Sequence, residues 1–178
     1  MIINKNKFKK VLIVKHKKYK DFRGYFREIF IKNFFKNKNF IFHYYTVSNK
    51  NVIRGLHFQQ NFQQEKYIYV SKGKILDVIV DLRKNSITYG KYFSIILSEK
   101  NCKALFIPKG FAHGYYCFDN NTILNYVLTN YYKPKYENGI IWNDKDLKIK
   151  WPTSNPILSK KDKKLITFNY FKKVKKFL

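Results

Sequence analysis

The chain has 178 residues, 45% hydrophobic and 19% aromatic, with 37 Lys and Arg against 11 Asp and Glu and a formal net charge of +26. That length and apolar content exclude a disordered chain and suit one domain, 1–178, with a buried core. The lysines are spread along the whole sequence among many Asn, Ile and Tyr, and the only arginines are Arg23, Arg27, Arg54 and Arg83; this disfavours nucleic acid as a partner, a basic nucleic-acid binder being the weakest alternative because it needs lysines and aromatics clustered on one surface, while the positive field still suits an anionic substrate.

From the N-terminus, the first apolar run, Val11 to Val14, is flanked by lysines and too short for a secretory or membrane segment. A cytoplasmic protein without a membrane partner is expected. The run reads instead as a strand. Further strands are predicted over 25–30, 40–47, 67–70, 75–81, 92–97, 104–107 and 122–129, all rich in β-branched and aromatic residues. Turn signals separate them, including Asn49-Lys50-Asn51, Lys72-Gly73-Lys74, Lys84-Asn85-Ser86 and Asp119-Asn120-Asn121. Such spacing predicts an all-β sandwich or barrel rather than a βαβ fold. Helix is sparse: a short one over 31–38 and a partly helical end over 159–178. The basic tail, about 165–178, reads as solvated or loosely docked rather than as a binding arm. Cys102 and Cys117 lack metal or redox spacing and read as buried free thiols.

Two segments stand out against this background. Arg54-Gly55-Leu56-His57-Phe58-Gln59 and Ile107-Pro108-Lys109-Gly110-Phe111-Ala112-His113-Gly114 each place a histidine near glycine in apolar surroundings. They hold two of the four histidines in the chain, and histidine exchanges protons near neutral pH. One pocket built from two strands is expected. Guanidinium forks match phosphate oxygens, which draws attention to Arg23 and Arg54. The plainer role for Arg23 is an ion pair with Asp21 or Glu28, and for Arg83 a pair with Asp81.

Pro108-x-Gly110-x-x-His113 resembles the second motif of the cupin superfamily of jelly-roll barrels. In metal-binding cupins the first motif supplies a His-x-His pair. Here His57 is followed two residues later by Gln59, so a three-ligand metal site is disfavoured, with Glu65 the one residue that keeps it open.

Further motifs occur in order. They are Asp21-x-Arg23-Gly24-x-Phe26, the Arg54 segment, Asp77-Val78-x-Val80-Asp81-Leu82-Arg83, the Gly110 segment, Thr129-Asn130-Tyr131-Tyr132, Gly139-Ile140-x-Trp142-Asn143-Asp144, Trp151-Pro152 and Leu158-Ser159-x-Lys161-Asp162. Together they resemble the dTDP-4-dehydrorhamnose 3,5-epimerase family from about residue 10 to residue 165. The resemblance implies a cupin-type jelly roll with short peripheral helices, a homodimer, no cofactor and no metal. It implies a nucleoside-diphosphate 4-keto-6-deoxy sugar as substrate, epimerised at C3 and C5. Both protons lie beside the ketone, so removing either gives a stabilised enolate, and inversion needs a base on one face and an acid on the other. On the family pattern His57 is the base, Asp162 orients it, Tyr126 is the acid and Lys66 stabilises the enolate oxygen. Arg23, Phe26, Glu28, Arg54, His113, Glu137 and Lys161 fall at substrate-binding positions, and Tyr132 at the one that stacks on the base.

Local context alone gives each of these residues a plainer role: a core histidine, a packed tyrosine, a capping aspartate. The pattern is broken at one place. The family's Gln-x-Asn pair is replaced by Phe42 and Tyr44. This leaves open a C3-only epimerase, one for another nucleotide sugar such as a GDP-linked one, and a non-catalytic cupin that binds sugar nucleotide.

Overall fold

A computed structural model describes residues 2–5, 8 and 10–174. The strands are β1 (Ile2–Lys5), β2 (Leu12–Lys15), β3 (Lys18–Asp21), β4 (Gly24–Arg27), β5 (Phe42–Ser48), β6 (Ile53–Gln59), β7 (Lys66–Lys72), β8 (Lys74–Asp81), β9 (Tyr92–Ser98), β10 (Lys103–Ile107), β11 (Phe111–Cys117), β12 (Thr122–Leu128) and β13 (Glu137–Gly139). They form a six-stranded sheet in the order β1-β2-β10-β7-β12-β5, a five-stranded sheet in the order β13-β6-β11-β8-β9, and the separate β3–β4 hairpin. Every pairing within the two sheets is antiparallel. The two sheets face each other as a cupin-type jelly roll.

Alternation along the strands divides the apolar residues among three layers. On β7, Ile68 and Val70 point between the sheets to Ile79 of β8, Leu105 of β10 and Leu124 of β12. Tyr67 and Tyr69 point the other way and pack with Phe35 and Phe106 under the segment that precedes β5. On the back of the five-stranded sheet, Leu56, Phe58, Val78 and Val80 are covered by Ile140, Phe168 and Phe171. The last two sit on a short helix, α1 (Phe168–Lys173), capped by Thr167, whose side chain accepts from the Tyr170 amide. The tail is therefore docked as far as Phe171 because two aromatic rings anchor it; residues 175–178 lie outside the described residues. The helix expected over 31–38 is a single 3-10 turn, Lys32–Phe35, with no side-chain cap.

The predicted strand ranges leave out β1, β3 and β13, while β6 and β11, also outside those ranges, carry the two histidine segments expected to form strands of one pocket. Every residue of β11 is buried, and β6 is buried except at Arg54 and His57, so neither shows the polar alternation of a half-exposed strand. Both also contain glycine, and its reason is proximity. A Cβ on Gly55, which has φ +116°, would lie 2.5 Å from the Gly114 Cα and 2.6 Å from the His113 carbonyl oxygen. The two backbones thus approach closely beside the directly paired residues His57 and His113.

Candidate active site

A cavity of about 480 Å³ opens between the two sheets. From the five-stranded sheet and its extensions it receives Arg54, His57, His113 and Glu137, and from the six-stranded sheet Lys66 and Tyr126. Tyr132, Lys161 and Asp162 reach it from loops and the 3-10 turn Asp162–Lys164. The strand pairing that sets His57 opposite His113 puts both rings into this space.

His57 stands between two carboxylates. Its Nε2–H donates to Asp162 Oδ1 at 2.6 Å, and Nδ1 lies 3.9 Å from Glu137 Oε1. Burial of Asp162 works against its charge, but the His57 hydrogen bond, the imidazole's charge and a bond with the Ser159 hydroxyl outweigh it, and the carboxyl is held below its usual range. The ionised Asp162 accepts only, which leaves Nδ1 as the imidazole atom able to take a proton. Glu137 is likewise held low: burial opposes its charge, while Lys161, Tyr132 and His57 favour it. Its Oε2 accepts from the Tyr132 hydroxyl at 2.7 Å and pairs with Lys161 Nζ.

His113 has a similar partner and a different environment. Its Nε2–H donates to Asp77 Oδ2 at 2.7 Å, with both side chains almost fully buried. Burial lowers its proton affinity, and Lys66 and His57 lower it further, against the pull of Asp77. Lys66 itself is pushed down to about 8 by burial, with Glu137 and Asp77 opposing. Tyr126 is pushed well above the usual phenol value by burial, then by Tyr115, Tyr44 and Asp77, so at neutral pH its hydroxyl keeps its proton. Among the described residues none hydrogen-bonds its hydroxyl.

The cavity holds all of the sequence-derived candidates except three. Arg23 lies in the turn of the β3–β4 hairpin, where its Nη2 pairs with Asp21 at 2.7 Å. Phe26 is 64% exposed on β4, stacked on Tyr19, and Glu28 follows it; none of the three lines the cavity of this chain. Arg83 pairs with Asp81, as the sequence suggests, and both cysteines are buried and free. Glu65 accepts from Lys38 Nζ at 2.5 Å, outside the cavity. Among the described residues, no cluster of three or more His, Cys, Asp or Glu side chains is placed to hold a metal.

Other residues carry the site without having been singled out. Gln59 uses both ends of its amide on main chain: it donates to the Phe62 and Tyr131 carbonyls and accepts from the Lys133 amide. This pins the loop that presents Tyr132. Ser48 accepts from Arg54 Nε at 2.9 Å, and its hydroxyl bonds Tyr115 at 3.1 Å. The Gln59 and Asp77 motif positions were visible in the sequence, but Gln59 meets Lys133 74 residues on and Asp77 meets His113 36 residues on, separations at which no local pattern reveals a partner.

The sequence model of the family described as dTDP-4-dehydrorhamnose 3,5-epimerase matches residues 5–170. The chain is 39% identical to the enzyme of that name from Escherichia coli over 95% of each chain. It is 42% identical to the one from Methanothermobacter thermautotrophicus over 85% of this chain and 86% of the relative. Its fold superposes with a TM-score of 0.91, at 35% identity and over 94% and 93% of the two chains, on a crystal structure of dTDP-6-deoxy-D-glucose-3,5-epimerase from Legionella pneumophila in complex with dTDP-4-keto-L-rhamnose. With the family model matching residues 5–170 and relatives 39% and 42% identical over most of the chain, the chain belongs to the dTDP-4-dehydrorhamnose 3,5-epimerase family.

Proposed function

We propose that this protein epimerises a nucleoside-diphosphate-linked 4-keto-6-deoxy sugar at C3 and C5, converting dTDP-4-dehydro-6-deoxy-D-glucose to dTDP-4-dehydro-L-rhamnose. The observation that carries this reading is the origin of the two proton-transfer groups. His57 comes from one sheet and Tyr126 from the facing one, across a single cavity. A sugar ring lying between the sheets then meets a base on one face and an acid on the other.

In this reading His57 Nδ1 removes the proton from C3 or C5, and the electron pair moves into the adjacent carbonyl as an enolate. Asp162 fixes the tautomer and stabilises the imidazolium. Lys66 sets a positive charge near the developing oxyanion in a site with little water. Tyr126 delivers a proton to the opposite face, and the configuration inverts. Arg54 meets the diphosphate, with His113 and the Glu137–Lys161 pair holding the sugar and Tyr132 stacking on the base. These residues need no cofactor for the chemistry: the α-protons are made acidic by the substrate's own ketone.

The hairpin fits the same reading through a second copy. Arg23, Phe26 and Glu28 do not reach this chain's cavity, while Tyr19, Phe22, Tyr25 and Phe26 expose aromatic surface around them. A homodimer in which the hairpin docks on its neighbour would cover those rings and give the three residues a site to act in. We take the chain as one domain, acting in the cytoplasm without nucleic acid; no described helix is long and apolar enough to cross a membrane.

A narrower reading is favoured by one observation. Phe42 and Tyr44 both line the cavity, so rings stand where the family has amides, and a C3-only reaction or a different nucleotide is the alternative. Proton NMR in deuterated water separates them. With the dTDP substrate, deuterium is expected to enter C3 and C5 with inversion at both. Inversion at C3 alone, or turnover only of a GDP-linked 4-keto sugar, selects the alternative, and binding without exchange rejects enzymatic function. In Tyr126→Phe, exchange is expected to continue with little inverted product.

A further inference from the structure

The proposed proton donor is held in an unusual way. No described residue hydrogen-bonds the Tyr126 hydroxyl, so packing, in which two neighbouring rings take part, fixes the direction in which it points. One neighbour, His113, meets the Tyr126 ring edge-on, with centroids 5.9 Å apart at 71°. The other is Tyr44, which is paired directly with Tyr126 across the β5–β12 ladder. Its ring lies nearly parallel to that of Tyr126, with centroids 4.7 Å apart and planes at 15°. Tyr44 is backed in turn by Phe42, 5.3 Å away, and Phe42 by Tyr131 at 5.8 Å.

A tyrosine ring is located by two torsions, and a face-to-face neighbour restricts both. Here that neighbour sits on β5, an edge strand of its sheet. Edge strands lack a second row of hydrogen bonds to steady them, and the Phe42–Tyr131 contact ties this one to the loop beyond β12. The rings at positions 42 and 44 thus form a rigid wall behind the acid.

We propose that Tyr44 is a positioning residue: its ring, and not its hydroxyl, holds Tyr126 in the orientation that returns the proton to the inverting face. This rests on the epimerase reading above. Loss of the ring leaves base, oxyanion cation and diphosphate contacts intact. The enolate then still forms, but it is reprotonated more often from the His57 face and reverts to substrate carrying solvent deuterium.

The test is the ratio of solvent exchange to inversion at C3 and C5, measured by NMR in deuterated water. Tyr44→Phe keeps the ring and is expected to match wild type within about threefold. Tyr44→Leu keeps apolar bulk without a flat face, and the ratio is expected to rise about tenfold, the scale of one lost ring–ring contact. Phe42→Leu is expected to raise it less, in the same direction. Tyr44→Met repeats the experiment should Tyr44→Leu not give folded protein by circular dichroism. A wild-type ratio in Tyr44→Leu or Tyr44→Met overturns the inference. So does a rise in Tyr44→Phe as large as in Tyr44→Leu, which would mean that the hydroxyl acts directly. If the wild-type protein inverts its substrate and the variants match it, only the role of Tyr44 falls; if the wild type exchanges neither proton of any nucleotide-linked 4-keto sugar, the epimerase reading falls with it.

Discussion

Two histidine–carboxylate pairs lie side by side across the β6–β11 ladder, and they are built for different work. His57–Asp162 and His113–Asp77 have nearly equal hydrogen bonds, 2.6 and 2.7 Å. The His57 side chain is 25% exposed to the cavity, however, and that of His113 only 3%. His57 keeps Nδ1 free beside the Glu137 carboxylate. His113 also lines the cavity but is almost fully buried, and the second oxygen of its aspartate is buried with no hydrogen-bond partner among the described residues. The same two residue types therefore give an imidazole that can gain a proton and one whose burial keeps it neutral. The difference lies in what each pair faces, not in the pair.

The sharpest way to break this comparison is to remove each ring in turn. His57→Asn is expected to lower exchange at both C3 and C5 by about 10²–10⁴-fold, with an unchanged melting transition. Asp162→Asn should follow in the same direction with a smaller loss, because the ring stays but its tautomer and charge are less well held. Retention of near-wild-type turnover in His57→Asn would remove the base assignment. His113→Leu should add a loss of stability to any loss of turnover. It leaves Asp77 as a buried carboxylate without its donor, and an unsatisfied buried acceptor costs about 1–3 kcal/mol, more when charged. Chemical denaturation measures this, and a loss below about 1 kcal/mol would mean that the pair is not structural.

Lys66 sharpens the contrast from the opposite sheet. Its proton affinity is pushed down to about 8. As pH rises through that value the lysine loses its charge, and with it the stabilisation of the oxyanion. An alkaline limb in kcat near 8 is expected, falling about tenfold per pH unit, and it should vanish in a slower Lys66→Met variant. A flat profile from 7 to 9.5 in the wild type would argue against a role for the charge. The smallest effect is expected from chelation. Gln59 has both ends of its amide on main chain and Glu65 is turned to Lys38, so treatment with a strong chelator should leave turnover unchanged; activity restored only by added zinc, iron or manganese would contradict this.

Legibility differed between elements for physical reasons. Strands with one polar face, such as β5 with its alternating exposure, were visible from composition and periodicity. The two strands that carry the histidines were legible only through their histidine–glycine segments, because burial removes the alternation and glycine lowers strand propensity. The roles of Arg54 and Lys66 could be read only by likeness to a family. The positions of Arg23, Phe26 and Glu28 on an exposed hairpin could not be read at all, since nothing local tells whether a loop folds back on its own cavity or away from it.

The sequence by itself determined that the chain is all-β, since β-branched and aromatic runs broken by polar turns suit little else. Its ordered motifs also determined the family and the residue types of the site. Only the tertiary structure decided which histidine keeps a free nitrogen, which aspartate has one buried oxygen with no partner among the described residues, and that Tyr126 is held by packing with no described hydrogen bond to its hydroxyl. These are matters of burial and partnership between residues 36 to 105 positions apart. Such properties arise when two sheets close on each other, because proton affinity and orientation depend on the dielectric and the neighbours that closure supplies.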